Sequence, residues 1–314
     1  MRKIVIVLGA GASWFLGYPL GKDLRESITM PKRDPDFLRS LTKYCSIEEH
    51  QFRELSRAFN VSMVDSIDAF LSNRPEFTEV GKAAIAYQIL KAEKSDHSIG
   101  AYNHPEDNWI QLFTNKIART KWDELDFSWI SFITFNYDRS LEYLLLYSMS
   151  MIFGKSHEEV IQKLSTLKII HVYGCVSKNP YDFSNSSTHD FRYGYYRDLS
   201  CAVNNIRVIP EDRETTTEIE QARDLLFNAD KIAFLGFSFD EINLKRLNSI
   251  NTCRASINLN GLSSRDRNIY GTCFKMESGE RARAVAMTAN SFQGESFADI
   301  TCTTLVRRFS IFHD

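Results

Sequence analysis

Four short stretches of this chain hold residues whose type and spacing suit ligand chemistry. Gly9-Ala-Gly-Ala-Ser13 sets two glycines and a serine directly after an apolar run. Small residues there let backbone N–H groups approach a phosphate. Asn136 and Asp138 flank Tyr137, so an amide and a carboxylate lie two positions apart. His171 follows the apolar pair Ile169-Ile170. Its imidazole titrates near neutral pH and can take a proton from a sugar hydroxyl. Gly236-Phe-Ser238 closes a further apolar run. Each stretch also has an ordinary explanation. The first makes a tight strand-to-helix turn, and the second caps a helix for about 1 kcal/mol. His171 is satisfied as a strand-end histidine, and the Gly-x-Ser is a turn. Their common position, just past buried strands, is what points to one ligand-binding edge.

The first loop is not of the hydride-transfer kind. A dinucleotide fingerprint G-x-G-x-x-G wants glycine at position 14, where this chain has Trp14. No clear second strand ends in an acidic residue about twenty positions on, where a dehydrogenase binds ribose. The lysine of a P-loop is missing as well.

The elements that must position these residues alternate strand with helix. Residues 3–8, 128–135, 168–174, 231–239 and 254–262 read as strands, mostly apolar throughout, with a final strand near 300–309. Helices are expected after Pro19 through Leu24, after Asp138, and at about 214–229, 241–249 and 279–289. Residues 35–120 are helical in pattern. Phe77, Val80, Ala84, Ile85 and Ile89 recur at three- and four-residue steps, as do Trp109, Phe113 and Ile117. The segment 176–210 is polar, aromatic-rich and poorly periodic, and reads as a long loop of the kind that forms lids. The expected fold class is α/β: a Rossmann-like, mostly parallel sheet with helices on both faces and a helical insertion. One domain is expected over 1–314, with its core at 1–30 and 125–314 and the insertion at 31–124.

Bulk properties narrow the function. The chain has 314 residues, a net charge of −2 and 43% hydrophobic residues, enough for a substantial core. That charge gives no global attraction to nucleic acid or to an anionic membrane, and no direct nucleic-acid site is evident. Six cysteines are scattered with no C-x-x-C pair, which argues against a zinc ribbon and suits reduced thiols in the cytoplasm. Arg2-Lys3 and Ala10-Gly11-Ala12 mimic parts of a signal peptide. The apolar run Ile4 to Leu8 is too short for the roughly seven to fifteen residues of a signal core. No segment has the roughly 18 uninterrupted apolar residues of a membrane span.

The order of motifs resembles the sirtuin-like superfamily, and most of all the bacterial sirtuin-like NAD-degrading proteins of anti-phage defence. Gly9-Ala-Gly-Ala-Ser13 with Gly17-Tyr-Pro19 is similar to the sirtuin Gly-Ala-Gly-x-Ser…Gly-x-Pro loop. Thr134-Phe-Asn136-Tyr-Asp138 is similar to Thr-Gln-Asn-x-Asp, and Leu235-Gly-Phe-Ser238 to the Gly-Thr-Ser segment. His171 stands where the family has its catalytic histidine. Ser66-Ile-Asp68-Ala-Phe70-Leu71 is similar to a helical segment of the defence proteins.

The resemblance implies an NAD+ glycohydrolase that releases nicotinamide and ADP-ribose, with NAD+ as substrate and no metal. It implies that Asn136 holds the nicotinamide ribose or the attacking water, that Asp138 binds the carboxamide, and that His171 is the general base. Gly9, Gly11, Ala12, Ser13 and Pro19 would form the pyrophosphate side, and Gly236, Ser238 and Asn260 the adenosine side, with Asn258 competing for the last role. It also implies self-assembly into a homo-oligomer, or control by a separate partner such as a HerA-type ATPase or a short Argonaute.

Departures from the deacylases bear on the acceptor. Pro19 is followed by Leu20-Gly21-Lys22 rather than Asp-Phe-Arg, and His171 by Val-Tyr-Gly174 rather than glycine. The paired zinc cysteines are missing, and with them a recognisable acyl-lysine groove, so water is the expected acceptor. The rival readings are a deacylase or ADP-ribosyltransferase, and a module that binds NAD or ADP-ribose without turnover.

Overall fold

The computed structural model describes residues 2–30, 34–94, 105–177, 199–208, 215–253 and 267–313. Six strands form one sheet: β1 (Ile4–Leu8), β2 (Ile130–Thr134), β3 (Lys168–His171), β4 (Lys231–Leu235), β5 (Asn268–Thr272) and β6 (Phe292–Ala298). Their order is β3-β2-β1-β4-β5-β6 and every pairing is parallel. This is the doubly wound, Rossmann-like α/β arrangement, with its switch point between β1 and β4. Every residue of β1, β2 and β4 is buried. Helices covering both faces explain why these strands are apolar without alternation.

Register decides what the sheet can present. Leu8 lies opposite both Thr134 and Leu235, and Thr134 lies opposite His171. The loops that leave β1, β2, β3 and β4 therefore emerge at one edge. Residues paired across parallel strands share a face, so Leu8, Thr134 and His171 form a row on one side of the sheet.

Between β1 and β2 the helices Pro35–Cys45, Glu49–Ser62, Ile67–Asn73, Thr78–Lys94 and Trp109–Ile117 follow one another. Val80, Ala84, Ile85, Ile89, Trp109, Phe113 and Ile117 are buried, as their periodicity requires. The apolar core is continuous from β1 through these helices to Phe312.

Three sequence expectations need correction or qualification. Part of the supposed loop 176–210 is a helix, Leu199–Asn205, whose Leu199, Ala202 and Val203 are buried. Its short helical period is hidden beside an aromatic-rich flank. The final segment near 300–309 is not a strand but a helix, Cys302–Arg308. Thr301 caps it through Thr304 N, and Cys302, Leu305 and Val306 face inward at helical spacing, which outweighs the β-branched composition. The strand expected at 254–262 and the aromatic residues of 178–198 lie outside the described residues, while β5 and β6 pair on that side of β4.

Candidate functional site

The glycine turn is built by backbone contact across the switch point. After β1 the chain makes two tight turns, Ala10–Ala12 and Trp14–Leu16, and Gly17 closes the second at φ 85°. A Cβ on Gly9 would lie 2.6 Å from Gly236 O, and one on Gly11 would lie 2.9 Å from Gly236 Cα. Gly236 has φ +58°, and a Cβ there would lie 2.1 Å from Ala12 N. Close approach of the two loops thus requires all three glycines, whatever they bind. Gly9 N–H donates to Leu235 O, Gly11 to Gly236 O, Ala12 to Gly9 O and Ser13 to Ala10 O. Trp14, where the dehydrogenase fingerprint has its third glycine, points outward at 38% exposure. On the inner side Trp109, buried, donates its indole N–H to Ala12 O at 2.9 Å. This bond ties the helical segment to the turn.

A chain of polar side chains links this turn to the loop after β2. Asn136 Nδ2 donates to Gly9 O and to Ser13 Oγ, both at 3.0 Å. Ser13 Oγ in turn donates to Asp138 Oδ2 at 2.9 Å. Asp138 Oδ1 accepts from Ser140 N at 3.1 Å and from Ser140 Oγ, so from just before the Arg139 N-cap it holds the first residue of the helix Ser140–Phe153 as well as the glycine turn. Ser13 and Asp138 are buried, and burial pushes the Asp138 carboxyl above its ordinary range despite these donors. Because a carbonyl can only accept, the Gly9 contact fixes which end of the Asn136 amide is nitrogen. Its Oδ1 accepts no hydrogen bond from the described residues, so the half-buried amide offers a ligand an acceptor.

His171 is held at both ring nitrogens. Nε2 lies 2.7 Å from Glu142 Oε1, and Nδ1 lies 3.2 Å from the backbone oxygen of Asn136. Burial lowers the pKa of the ring, but the Glu142 charge, the two hydrogen bonds and the nearby Asp138 outweigh it and hold it above the ordinary histidine value. Glu142 is buried in the first turn of Ser140–Phe153, where the helix dipole favours an anion. Ser13, Asn136, Asp138, Ser140, Glu142 and His171 line one cavity of about 10 Å³, closed by Leu8, Trp109, Ile110 and Leu141 among others.

A second polar group adjoins this loop. Tyr137 OH donates to Asp68 Oδ1 at 2.9 Å, with Arg207 O the more distant acceptor at 3.3 Å. Asp68 is the acid of the Ser66-Ile-Asp68 segment, and burial raises its pKa. Tyr173 OH bonds Asn243 Oδ1 and accepts from Arg246 at 2.9 Å.

Of the residues singled out by sequence, Ser13, Asn136, Asp138 and His171 meet around one cavity. Gly9, Gly11, Ala12 and Gly236 form the loop-to-loop contact beside it. Pro19 is half-buried, and Ser238 is exposed past β4. Asn260 and its competitor Asn258 lie outside the described residues. Sequence reasoning missed Glu142, Asp68 as the partner of Tyr137, and Trp109 as a donor to the turn. Glu142 had a legible signal: a carboxylate four residues after Asp138 in an otherwise apolar helical run. Among the described residues no group of His, Cys, Asp and Glu is placed to hold a metal ion. No helix is long and apolar enough to cross a membrane, among the same residues. Comparison with protein-family models and with curated proteins finds no match for the chain.

Proposed function

We propose that this chain is an NAD+ glycohydrolase, cleaving the bond between nicotinamide and ribose. One observation carries the reading: an amide, two serines, two carboxylates and an imidazole converge on one cavity beside a glycine turn, at the switch-point edge of a doubly wound sheet. Open α/β sheets bind nucleotides at that edge. In the proposed reaction the C–N glycosidic bond breaks, and the electron pair leaves with nicotinamide. A water oxygen then bonds the anomeric carbon, and its proton is released. The transition state is a ribosyl oxocarbenium ion, so groups that present oxygen to it are favoured. The acceptor end of Asn136 suits a ribose hydroxyl or the attacking water. Its donor end is spent on Gly9 and Ser13, which fixes its orientation. Asp138 keeps Ser13 and the helix start in place, and in the proposed reaction it is assigned the carboxamide as well. The cavity is far smaller than the roughly 300 Å³ of a small-molecule site, so NAD+ would meet it from above the strand ends. Self-assembly, or a regulatory partner of the ATPase or Argonaute kind, belongs to the same proposal, as does a role in defence by NAD+ depletion.

A second reading is favoured by one specific observation. Both ring nitrogens of His171 face protein acceptors, which suits a module that binds the nucleotide without turning it over. Product analysis separates the two. Purified protein incubated with NAD+ should yield nicotinamide and ADP-ribose, and Asn136→Ala should abolish the yield. Saturable NAD+ binding by calorimetry, with the nucleotide recovered intact, would favour the binding module.

A further inference from the structure

We propose that Glu142 and His171 act as one proton-sharing pair, in which Glu142 is the positioning residue that fixes the orientation of the ring and how many protons it carries. For its catalytic consequence this rests on the glycohydrolase reading; for its chemistry it rests on geometry alone. The Asn136 carbonyl can only accept, so Nδ1 at 3.2 Å carries a hydrogen. That leaves Nε2 as the only nitrogen that can lose its proton, and Nε2 faces the Glu142 carboxylate at 2.7 Å. A distance this short is that of a charge-assisted bond. Both partners are withdrawn from solvent, with side-chain exposures of 9% for His171 and 2% for Glu142, so the pair is little screened.

The other charged groups around the ring are engaged with other partners. Asp138 approaches from the loop after β2, but Ser13 and Ser140 already occupy its oxygens. Arg139 pairs with Glu93 of the helix Thr78–Lys94 at 3.2 Å, which directs that cation elsewhere. Cys175, beyond β3, is pushed up to about 12 chiefly by burial and stays a neutral thiol. Glu142 is thus the carboxylate bonded to the ring. In this pair Glu142 favours the imidazolium form, which has no lone pair to offer. The ring becomes a base only when Nε2 loses its proton, and Glu142 raises the pH at which that occurs.

The test is the titration of the His171 ring by nitrogen-15 NMR on the full chain, in wild type, Glu142→Gln and Glu142→Asp. Wild type should carry a hydrogen on both ring nitrogens at pH 7. Glu142→Gln should move the midpoint down by about one to three pH units, the usual effect of removing an adjacent opposite charge. Glu142→Asp should restore part of the shift. If the glycohydrolase reading holds, the alkaline rise of kcat should move to lower pH in Glu142→Gln. A ring that is neutral at pH 7 in wild type, or one with the same midpoint in wild type and Glu142→Gln, overturns the pair. The NMR readout needs no turnover, so an inactive protein that shows the shift would sink the glycohydrolase reading and leave the pair standing. Should Glu142→Gln fail to fold, the wild-type ring and Glu142→Asp still decide.

Discussion

The two halves of the sheet edge solve the same problem by opposite means. Past β1, β2 and β3, order is imposed by polar side chains: Asn136 to Ser13, Ser13 to Asp138, and His171 to Glu142. Past β4, β5 and β6, order is imposed by shape. Gly236 packs backbone to backbone on the glycine turn. Phe239 meets Phe234, Phe237 and Phe297 with ring centroids 5.0–5.3 Å apart. Polar ties there are fewer at the strand ends: Gly236 N–H donates to Thr272 Oγ1 at 3.0 Å, and the exposed Asp299 accepts from Lys275 N at 2.9 Å and from Arg281 at 2.8 Å. A buried polar network is stable only when fully partnered and correctly protonated, whereas an aromatic cluster needs only to be filled. Between pH 6 and pH 9 the first half should therefore respond to pH and the second should not.

The largest effect expected on stability lies in the apolar half. Phe234→Ala removes a fully buried ring and should cost about 3–5 kcal/mol in urea unfolding, equally at pH 6 and pH 9. Gly236→Ala should cost about 2 kcal/mol or more, since it adds a Cβ both at positive φ and against Ala12. Gly279→Ala, whose added Cβ meets nothing within 4 Å, is the control. In the polar half, Asp138→Ala leaves Ser13 and Ser140 without their acceptor and should cost about 1–3 kcal/mol. The same half carries the pH dependence. The native pKa of His171 is raised, so its stabilisation is complete below the ordinary value of about 6.5 and fades as pH rises through the native value. The stability gap between wild type and His171→Ala should shrink accordingly from pH 6 to pH 9. A gap that widened instead would break the contrast between the halves. The smallest effect belongs to Ser238→Ala, which should stay within about 0.5 kcal/mol because the side chain is exposed. If Ser238 touches the adenosine side, that variant should still raise KM for NAD+.

Legibility in the sequence followed the same division. Unbroken apolar runs identified β1, β2 and β4, because strands covered on both faces lack competing periods. Asn136, Asp138 and His171 could be placed at one edge because chemistry-bearing residues directly follow those strands. Their partners could not. Glu142 reaches His171 across 29 residues and Trp109 reaches Ala12 across 97, and local pattern does not encode such long-range pairings. The segment Thr301–Phe309 misled because β-branched residues mimic a strand while Thr301 caps a helix. The glycines of the first loop were legible as a turn. Their cause, the approach of Gly236 from a loop more than 200 residues away in sequence, appears only in three dimensions.

The most direct measurement is NAD+ turnover by the purified full chain, assayed alone and after self-assembly, with nicotinamide and ADP-ribose quantified by chromatography. Release of both in equal amounts is expected, with a loss of about 10²-fold or more in His171→Ala at pH above the ring's midpoint, where the ring can act as a base. NAD+ recovered intact from wild type in every assembly state would contradict a glycohydrolase, as would full activity in both His171→Ala and Asn136→Ala.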